Sequence, residues 1–286
     1  MQEDTRKPPV LEKRIVCFID ILGFASLVSA ARSDEAKARL VDNALGHIQQ
    51  IADLVEERKG SRPDVHIFSD CAIISTEVSP HAVSALLDAL AELTWKLMCL
   101  GIKIRGAVTI GEMSSNRDRP WGPAVVDAYR LENTVAVHPR IALHGTLVKY
   151  IAGSARELLD LPLLKRDTDD GVHFLNAFAH RLGTELPTLP KEVPRSELEA
   201  VRDHLSWQHS ELTEKPDVYR KIDWLRDLWD SLFTPYESLW PLQTSYGHEQ
   251  NLVRHYRSLG DFDDNLDRAA REGRVLDGDF SKLPQA

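Results

Sequence analysis

Residues 14–24 read RIVCFIDILGF, and after Arg14 the single charge in that run is Asp20. A short, β-branched, apolar stretch of this kind predicts a buried strand over 14–21. A carboxylate carried on such a strand costs several kcal/mol if its charge is buried alone, so it must be paired, protonated or bound to a cation. Gly23 closes the run, and a turn or short helix is expected from there to Ala31.

Working outward, Leu40, Val41, Ala44, Leu45, Ile48, Ile51, Ala52 and Val55 recur at three- and four-residue intervals. That spacing predicts one crossover helix, ended by RKGSRPD (58–64). VHIFSDCAIIS (65–75) is two apolar runs broken at Ser69 and Asp70, which predicts a hairpin with those two residues at its tip. Ser79 and Pro80 are expected to cap and start a second long helix, with Val83, Leu86, Leu87, Leu90 and Leu97 on one stripe. IKIRGAVTIG (102–111) alternates like a strand, SSNRDRPWG (114–122) is a polar loop, and PAVVDAYRLENT (123–134) suits a packed helix. The resulting order, β, α, β-hairpin, α, β, α, predicts an α+β fold: a ferredoxin-like antiparallel sheet covered by helices on one face.

The remainder differs in character. VHFLNAF (172–178) predicts one more strand, and LPTLPKEVP (186–194) reads as a linker or extended segment. From Ser196 to Phe233 the pattern is helical and carries Trp207, Trp224 and Trp229, with Trp240 just beyond. We therefore expect a catalytic domain over 1–185 and a mainly helical C-terminal extension over 186–286, packed on it.

Composition bounds the function. The chain has 286 residues, 43% apolar and 28% charged, and a net charge of −9, which argues against an extended basic face for a nucleic-acid polymer. No apolar run approaches the roughly 20 residues that span a bilayer, and the N-terminal MQEDTRKPPV has no signal-like core, so a cytoplasmic protein is expected. Cys17, Cys71 and Cys99 are too scattered for a disulfide framework or a zinc site. DFDDNLDRAARE (261–272) has EF-hand spacing, but Leu266 stands where the sharp turn needs glycine, so calcium is not expected there.

Asp20 at a strand end and Asp70 at the tip of the neighbouring hairpin would converge, because adjacent strands lie about 4.8 Å apart. Two carboxylates so placed repel unless a cation lies between them, and a hard divalent ion, Mg²⁺ or Mn²⁺, suits them and leaves positions open for phosphate. The carbonyl of Ile21 would add a ligand. Leu22, Gly23 and Phe24 would present free N–H groups of a helix start to a triphosphate.

These features together resemble a known family. FIDILGF is similar to the ADIxGF signature of class III nucleotidyl cyclases, and IFSDCAIIS to their second metal motif. IRGAVTIGEM resembles their central strand and WGPAVVDAYRLEN their WGxxVNxASRME helix, four motifs in family order. The resemblance implies that the enzyme is a homodimer with composite sites, in which Asp20 and Asp70 hold two Mn²⁺ or Mg²⁺ ions. It implies that Arg130, from the other copy, stabilises charge on the α-phosphate. The helix asparagine is unmatched, with Val126 at its position and Asp127 beside it. His66 and Arg119 stand at the base-reading positions, and a donor plus an imidazole suits uracil better than adenine. GPAVVDAYRLE and KIDWLRDLW further resemble the pyrimidine cyclases of bacterial Pycsar antiphage defence. That implies conversion of UTP, before CTP, to the 3′,5′-cyclic nucleotide and pyrophosphate, read by a separate effector. Two alternatives remain: a cyclase-like module that binds nucleotide or a partner without turnover, and an adenylyl or guanylyl cyclase with unusual base contacts.

Overall fold

The structure, a computed structural model, describes residues 10–114, 116, 119–178, 195–211 and 216–233. The opening stretch forms β1 (Leu11–Ile21), which pairs antiparallel with β3 (Cys71–Thr76) on one side and β4 (Ile104–Ser114) on the other. β1 begins before the apolar run because Leu11 to Lys13 continue the ladder opposite Glu112 to Ser114, although their side chains are exposed. Ile15, Val16, Cys17 and Ile19 are essentially inaccessible. Successive strand residues point to opposite faces, so both faces of the sheet are covered.

The sheet has seven strands in the order β2 (Asp64–Phe68), β3, β1, β4, β5 (Ile141–Leu143), β7 (His173–Leu175), β6 (Leu164–Arg166). The first four, β2-β3-β1-β4, are all antiparallel and stand in ferredoxin-like order; β4 and β5 alone run parallel. The architecture is therefore α+β, with the expected strand order. It departs from expectation in having helices on both faces. α5 (Pro123–Thr134) lies on β1 and β4, where Ala124 and Ala128 meet Val16, Ile73 and Met113. The other face is covered by the layer of α2 (Glu35–Gln49), α3 (Ile51–Glu57) and α4 (Pro80–Cys99), which pack on one another, α3 also touching β2.

The single crossover helix expected from the apolar spacing is two, α2 and α3, meeting at Gln50 with φ −70° and ψ −6°. The break keeps the stripe intact: Ile48, Ile51, Ala52 and Val55 are all buried. α4 starts as its sequence dictates, with Ser79 Oγ accepting from Ala82 N–H at 3.0 Å and Pro80 in the first turn. Beyond α5 come α6 (Gly145–Ser154) and a 3₁₀ turn (Arg156–Asp160), neither foreseen in the sequence, before the β6–β7 hairpin. Buried Arg140 ties that hairpin down by pairing with Asp167 and Asp170, donating to Val135 O at 3.1 Å and lying over the Phe174 ring.

The chain divides into two compact units, Met1–Thr184 and Glu185–Ala286. In the second, α7 (Arg195–Glu211) and α8 (Pro216–Phe233) pack on each other and bury Leu198, Val201, Leu205, Ile222, Leu225 and Trp229. Of the tryptophans in these helices, Trp229 is fully buried and Trp207 is 36% exposed. The 186–194 segment, Trp240 and the 261–272 stretch lie outside the described residues. Among the described residues no helix is long and apolar enough to cross a membrane.

Candidate active site

Strand register assembles the site. Asp20 stands opposite Cys71 on one side and Arg105 on the other, and Cys71 stands opposite Phe68. Register partners share a face, so Phe68, Cys71, Asp20 and Arg105 form one row across four strands. The next row on that face is His66, Ile73, Phe18 and Ala107. This is the face that α5 partly covers, with Tyr129 edge-on to Phe18 at 5.5 Å between ring centroids.

The β2–β3 turn is the two residues Ser69 and Asp70, tight enough that Ser69 takes φ 58°. Its tip is bonded to the end of β1: Ile21 N–H donates to Asp70 O at 2.9 Å. That bond brings the stretches bearing Asp20 and Asp70 to one corner of the sheet. The Cys71 thiol, which donates to Phe68 O, reports the result electrostatically. Burial pushes its pKa up, and Asp70, Asp20 and Glu132 push it further, so three carboxylates act on one sulfur.

Two members of this cluster escaped the sequence reading. Arg105 Nε lies 3.1 Å from Asp20 Oδ2 and 2.5 Å from Glu132 Oε1. The Glu132 side chain is 2% exposed, on the inner stripe of α5 with Ala124 and Ala128, whereas those of Asp20 and Arg105 are 20% and 22% exposed.

Gly23 is the N-cap of α1 (Phe24–Ala31), with φ 78°, a left-handed conformation that glycine adopts without a Cβ penalty. Leu22 corrects an expectation. Its N–H donates to Lys103 O at 2.9 Å, extending the β1–β4 ladder past the strand end, and is not available to a phosphate. The helix-start donors there belong to Gly23 and Phe24 and the residue after them, since the first N–H groups of a helix have no intrahelical partner.

The remaining candidates are dispersed. His66 lies on the edge strand β2, two strands from Phe18, which puts it roughly 12 Å from Asp20 at ordinary sheet spacings. Its buried Nε2 has no hydrogen-bond partner among the described residues. Arg119 is exposed in the β4–α5 loop, its N–H donating to Asn116 O at 3.2 Å. Arg130 is exposed on α5, and two residues further on Glu132 faces inward, about 200° around the helix. Arg130 therefore points away from Asp20 of its own chain. Val126 and Asp127 share the exposed side.

Among the described residues no group of three or more His, Cys, Asp or Glu side chains is arranged to hold a metal ion. The oxygen donors that this corner could offer a cation are Asp20, Asp70 and the Ile21 carbonyl. An all-oxygen, incomplete set of this kind fits a hard divalent ion that completes its shell from water and phosphate.

Three solved structures show how far the likeness to known proteins extends. The catalytic core of a rhodopsin-guanylyl cyclase with converted specificity, in complex with ATPαS, is 17% identical with a TM-score of 0.40, over 58% of this chain and 96% of that one. The monomeric guanylyl cyclase domain of the RhoGC fusion protein from the aquatic fungus Blastocladiella emersonii is 15% identical with a TM-score of 0.42, over 59% and 98%. An adenylate/guanylate cyclase/hydrolase from Silicibacter pomeroyi is 13% identical with a TM-score of 0.41, over 58% and 96%. No protein-family model and no curated protein matches the chain. The fold described above stands on its strand order and register, and similarity at this level says nothing of activity.

Proposed function

We propose that the protein is a divalent-cation-dependent nucleotidyl cyclase that works as a homodimer and converts UTP, before CTP, to the 3′,5′-cyclic nucleotide and pyrophosphate. The observation that carries this reading is the Ile21 N–H to Asp70 O bond, which joins the two aspartate-bearing stretches beside a left-handed glycine at a helix start. On this reading Asp20 and Asp70 hold two Mg²⁺ or Mn²⁺ ions, with the Ile21 carbonyl as a further ligand. When bound, the cations neutralise phosphate oxygens and acidify the ribose 3′-hydroxyl. Gly23 and Phe24 donate N–H groups to the triphosphate. The 3′-oxygen bonds to the α-phosphorus as the bond to pyrophosphate breaks, and the hydroxyl proton leaves to solvent.

Arg130 of a second copy is assigned to the α-phosphate charge, because in its own chain it faces away from Asp20. Phe68, Trp121, Val126 and Tyr129, each 44–52% exposed on the hairpin, the β4–α5 loop and α5, offer the apolar surface that such a copy would cover. His66 and Arg119 are assigned to the base. The catalytic domain is placed at 1–185, with 186–286 as an extension, and a role as second-messenger synthase in antiviral defence follows from the resemblance of the sequence motifs.

The test is incubation with each of the four NTPs and Mn²⁺, with chromatography of the products. Cyclic UMP or cyclic CMP from wild type, and none from Asp70→Ala, is the expected result. Cyclic AMP or cyclic GMP would keep the cyclase and overturn the pyrimidine assignment. Nucleotide binding with no product from any NTP would favour a non-catalytic cyclase-like module, the reading that exposed Val126 at the asparagine position supports.

A further inference from the structure

We infer that Tyr129 is a further catalytic residue: its hydroxyl, beside Arg130 on α5, donates a hydrogen bond to the α-phosphate of the nucleotide held at the corner of a second copy. This rests on the reading of the protein as a dimeric nucleotidyl cyclase.

Helix geometry sets the two side chains together. α5 runs back along β4, from Ala124, close against Gly111, to Glu132, which pairs with Arg105. At about 100° per residue, Ala124, Ala128 and Glu132 turn inward, while Val126, Tyr129, Arg130 and Asn133 share another stripe about 100° wide. All four of these are exposed. The Tyr129 ring stands edge-on to Phe18, and its oxygen accepts from Asn133 Nδ2 at 3.3 Å. The phenol is therefore held at the ring and at the oxygen, and the exposed Asn133 keeps the hydroxyl on the outward stripe.

Hydrogen-bond accounting gives the consequence. A phenol oxygen that accepts one bond still has its own proton to donate. Among the described residues neither the Tyr129 O–H nor the Arg130 guanidinium has an acceptor. In a lone chain water serves both. A second copy that covers Phe68, Trp121, Val126 and Tyr129 expels that water, and the apolar neighbours offer no acceptor in its place. A donor buried without an acceptor is costly. The oxygens that the reading brings to this stripe are those of the nucleotide, whose α-phosphate is already assigned to Arg130, the next residue along. Tyr129 keeps its proton throughout. A fixed donor facing the oxygen on which charge builds acts more strongly in the transition state than on bound substrate, so its loss should lower kcat before it weakens binding.

The test uses full-length Tyr129→Phe, which keeps the ring against Phe18 and loses only the hydroxyl. Circular dichroism and native mass spectrometry check the fold and the dimer. With Mn²⁺ and the NTP that wild type cyclises, kcat should fall about 10- to 100-fold and KM should change by less than about threefold. Equilibrium binding of the 3′-deoxy analogue of that NTP, which has no attacking hydroxyl, should weaken by no more than about threefold. Subunit exchange reads which chain the hydroxyl serves. Mixed with Asp70→Asn, Tyr129→Phe should regain about one quarter of wild-type turnover, because one site of each mixed dimer then has both an intact corner and an intact stripe. Mixed with Arg130→Ala it should regain nothing, since both lesions lie on α5. Wild-type kcat in Tyr129→Phe overturns the inference and leaves the cyclase reading standing. So does a fall in kcat that Asp70→Asn does not relieve, which puts the hydroxyl in its own chain's site, or one that accompanies loss of the dimer, which makes Tyr129 an interface residue. If wild type cyclises no NTP, the cyclase reading fails and this inference fails with it.

Discussion

Lys103 carries a titration that folding must accommodate. Its side chain is buried, with Nζ donating to Gly101 O at 3.2 Å, and burial lowers its pKa from 10.5 to about 7. Above pH 7 the unfolded chain therefore binds a proton that the folded chain does not, so stability rises with pH until 10.5 is approached. Cys17 works the other way: burial raises its thiol above the ordinary 9.0, and stability falls as the unfolded thiol ionises from that pH upward. Between the two lies the window. Unfolding free energy from urea titration should be about 1–2 kcal/mol greater at pH 8.5 than at pH 7. Lys103→Met should be more stable than wild type at pH 7 and show little of that rise. His138 and His173, whose pKa values burial lowers below 6.5, titrate beneath this window. At Gly122 the backbone has φ 145°, and a Cβ would sit 2.7 Å from Glu112 O. Gly122→Ala should cost about 2–4 kcal/mol, seen as a lower thermal midpoint. Asp20 and Asp70 were legible in the sequence because each interrupts an apolar run. Arg105 and Glu132 were not, because each sits in its element's pattern like any surface charge. Only the pairing of residue 20 with residue 105 sets them side by side.

At the scale of elements, length decided legibility. β1, β4, α4 and α5 were readable because each repeats its period several times, and β7 falls within the strand expected over 172–178, whereas β5 and β6 are three residues each and too short for a period to declare itself. What holds them is tertiary. Arg140 is 1% exposed and joins the α5–β5 connection to the β6–β7 tip through Asp167, itself 8% exposed, and Asp170. Arg140→Ala should destabilise the protein by about 3–5 kcal/mol, because it leaves Asp167 nearly buried without its cation. Urea unfolding checks this, and Asp170→Ala, at a position 42% exposed, should cost much less. The expectation of a single-faced sheet failed at α5. Residues 123–134 were read as a packed helix, but the face on which Ala124 and Ala128 pack depends on strand parity: Val16 and Phe18 against Ile15 and Cys17.

At the scale of the whole molecule, the proposed reading needs two chains, since Asp20 faces the sheet corner and Arg130 faces outward. Asp70→Asn and Arg130→Ala should each be inactive alone as homodimers. Mixed and allowed to exchange subunits, they should regain about one quarter of wild-type turnover, because half the dimers are mixed and each carries one intact site. No recovery, with heterodimers shown by native mass spectrometry, would place Arg130 in its own chain's site. The row Phe68, Cys71, Asp20, Arg105 also has a meaning in the order of synthesis. A chain leaving the ribosome exposes both aspartates early, but the guanidinium arrives only with residue 105, and Glu132, with which it forms an ion pair, a further helix later. Until then Asp20 and Asp70 stand on an unfinished sheet that lacks the Arg105 guanidinium. On the proposed reading, nucleotide or Mn²⁺ would stabilise only the completed product, acting as a late fastener for this fold and not as a nucleus for it.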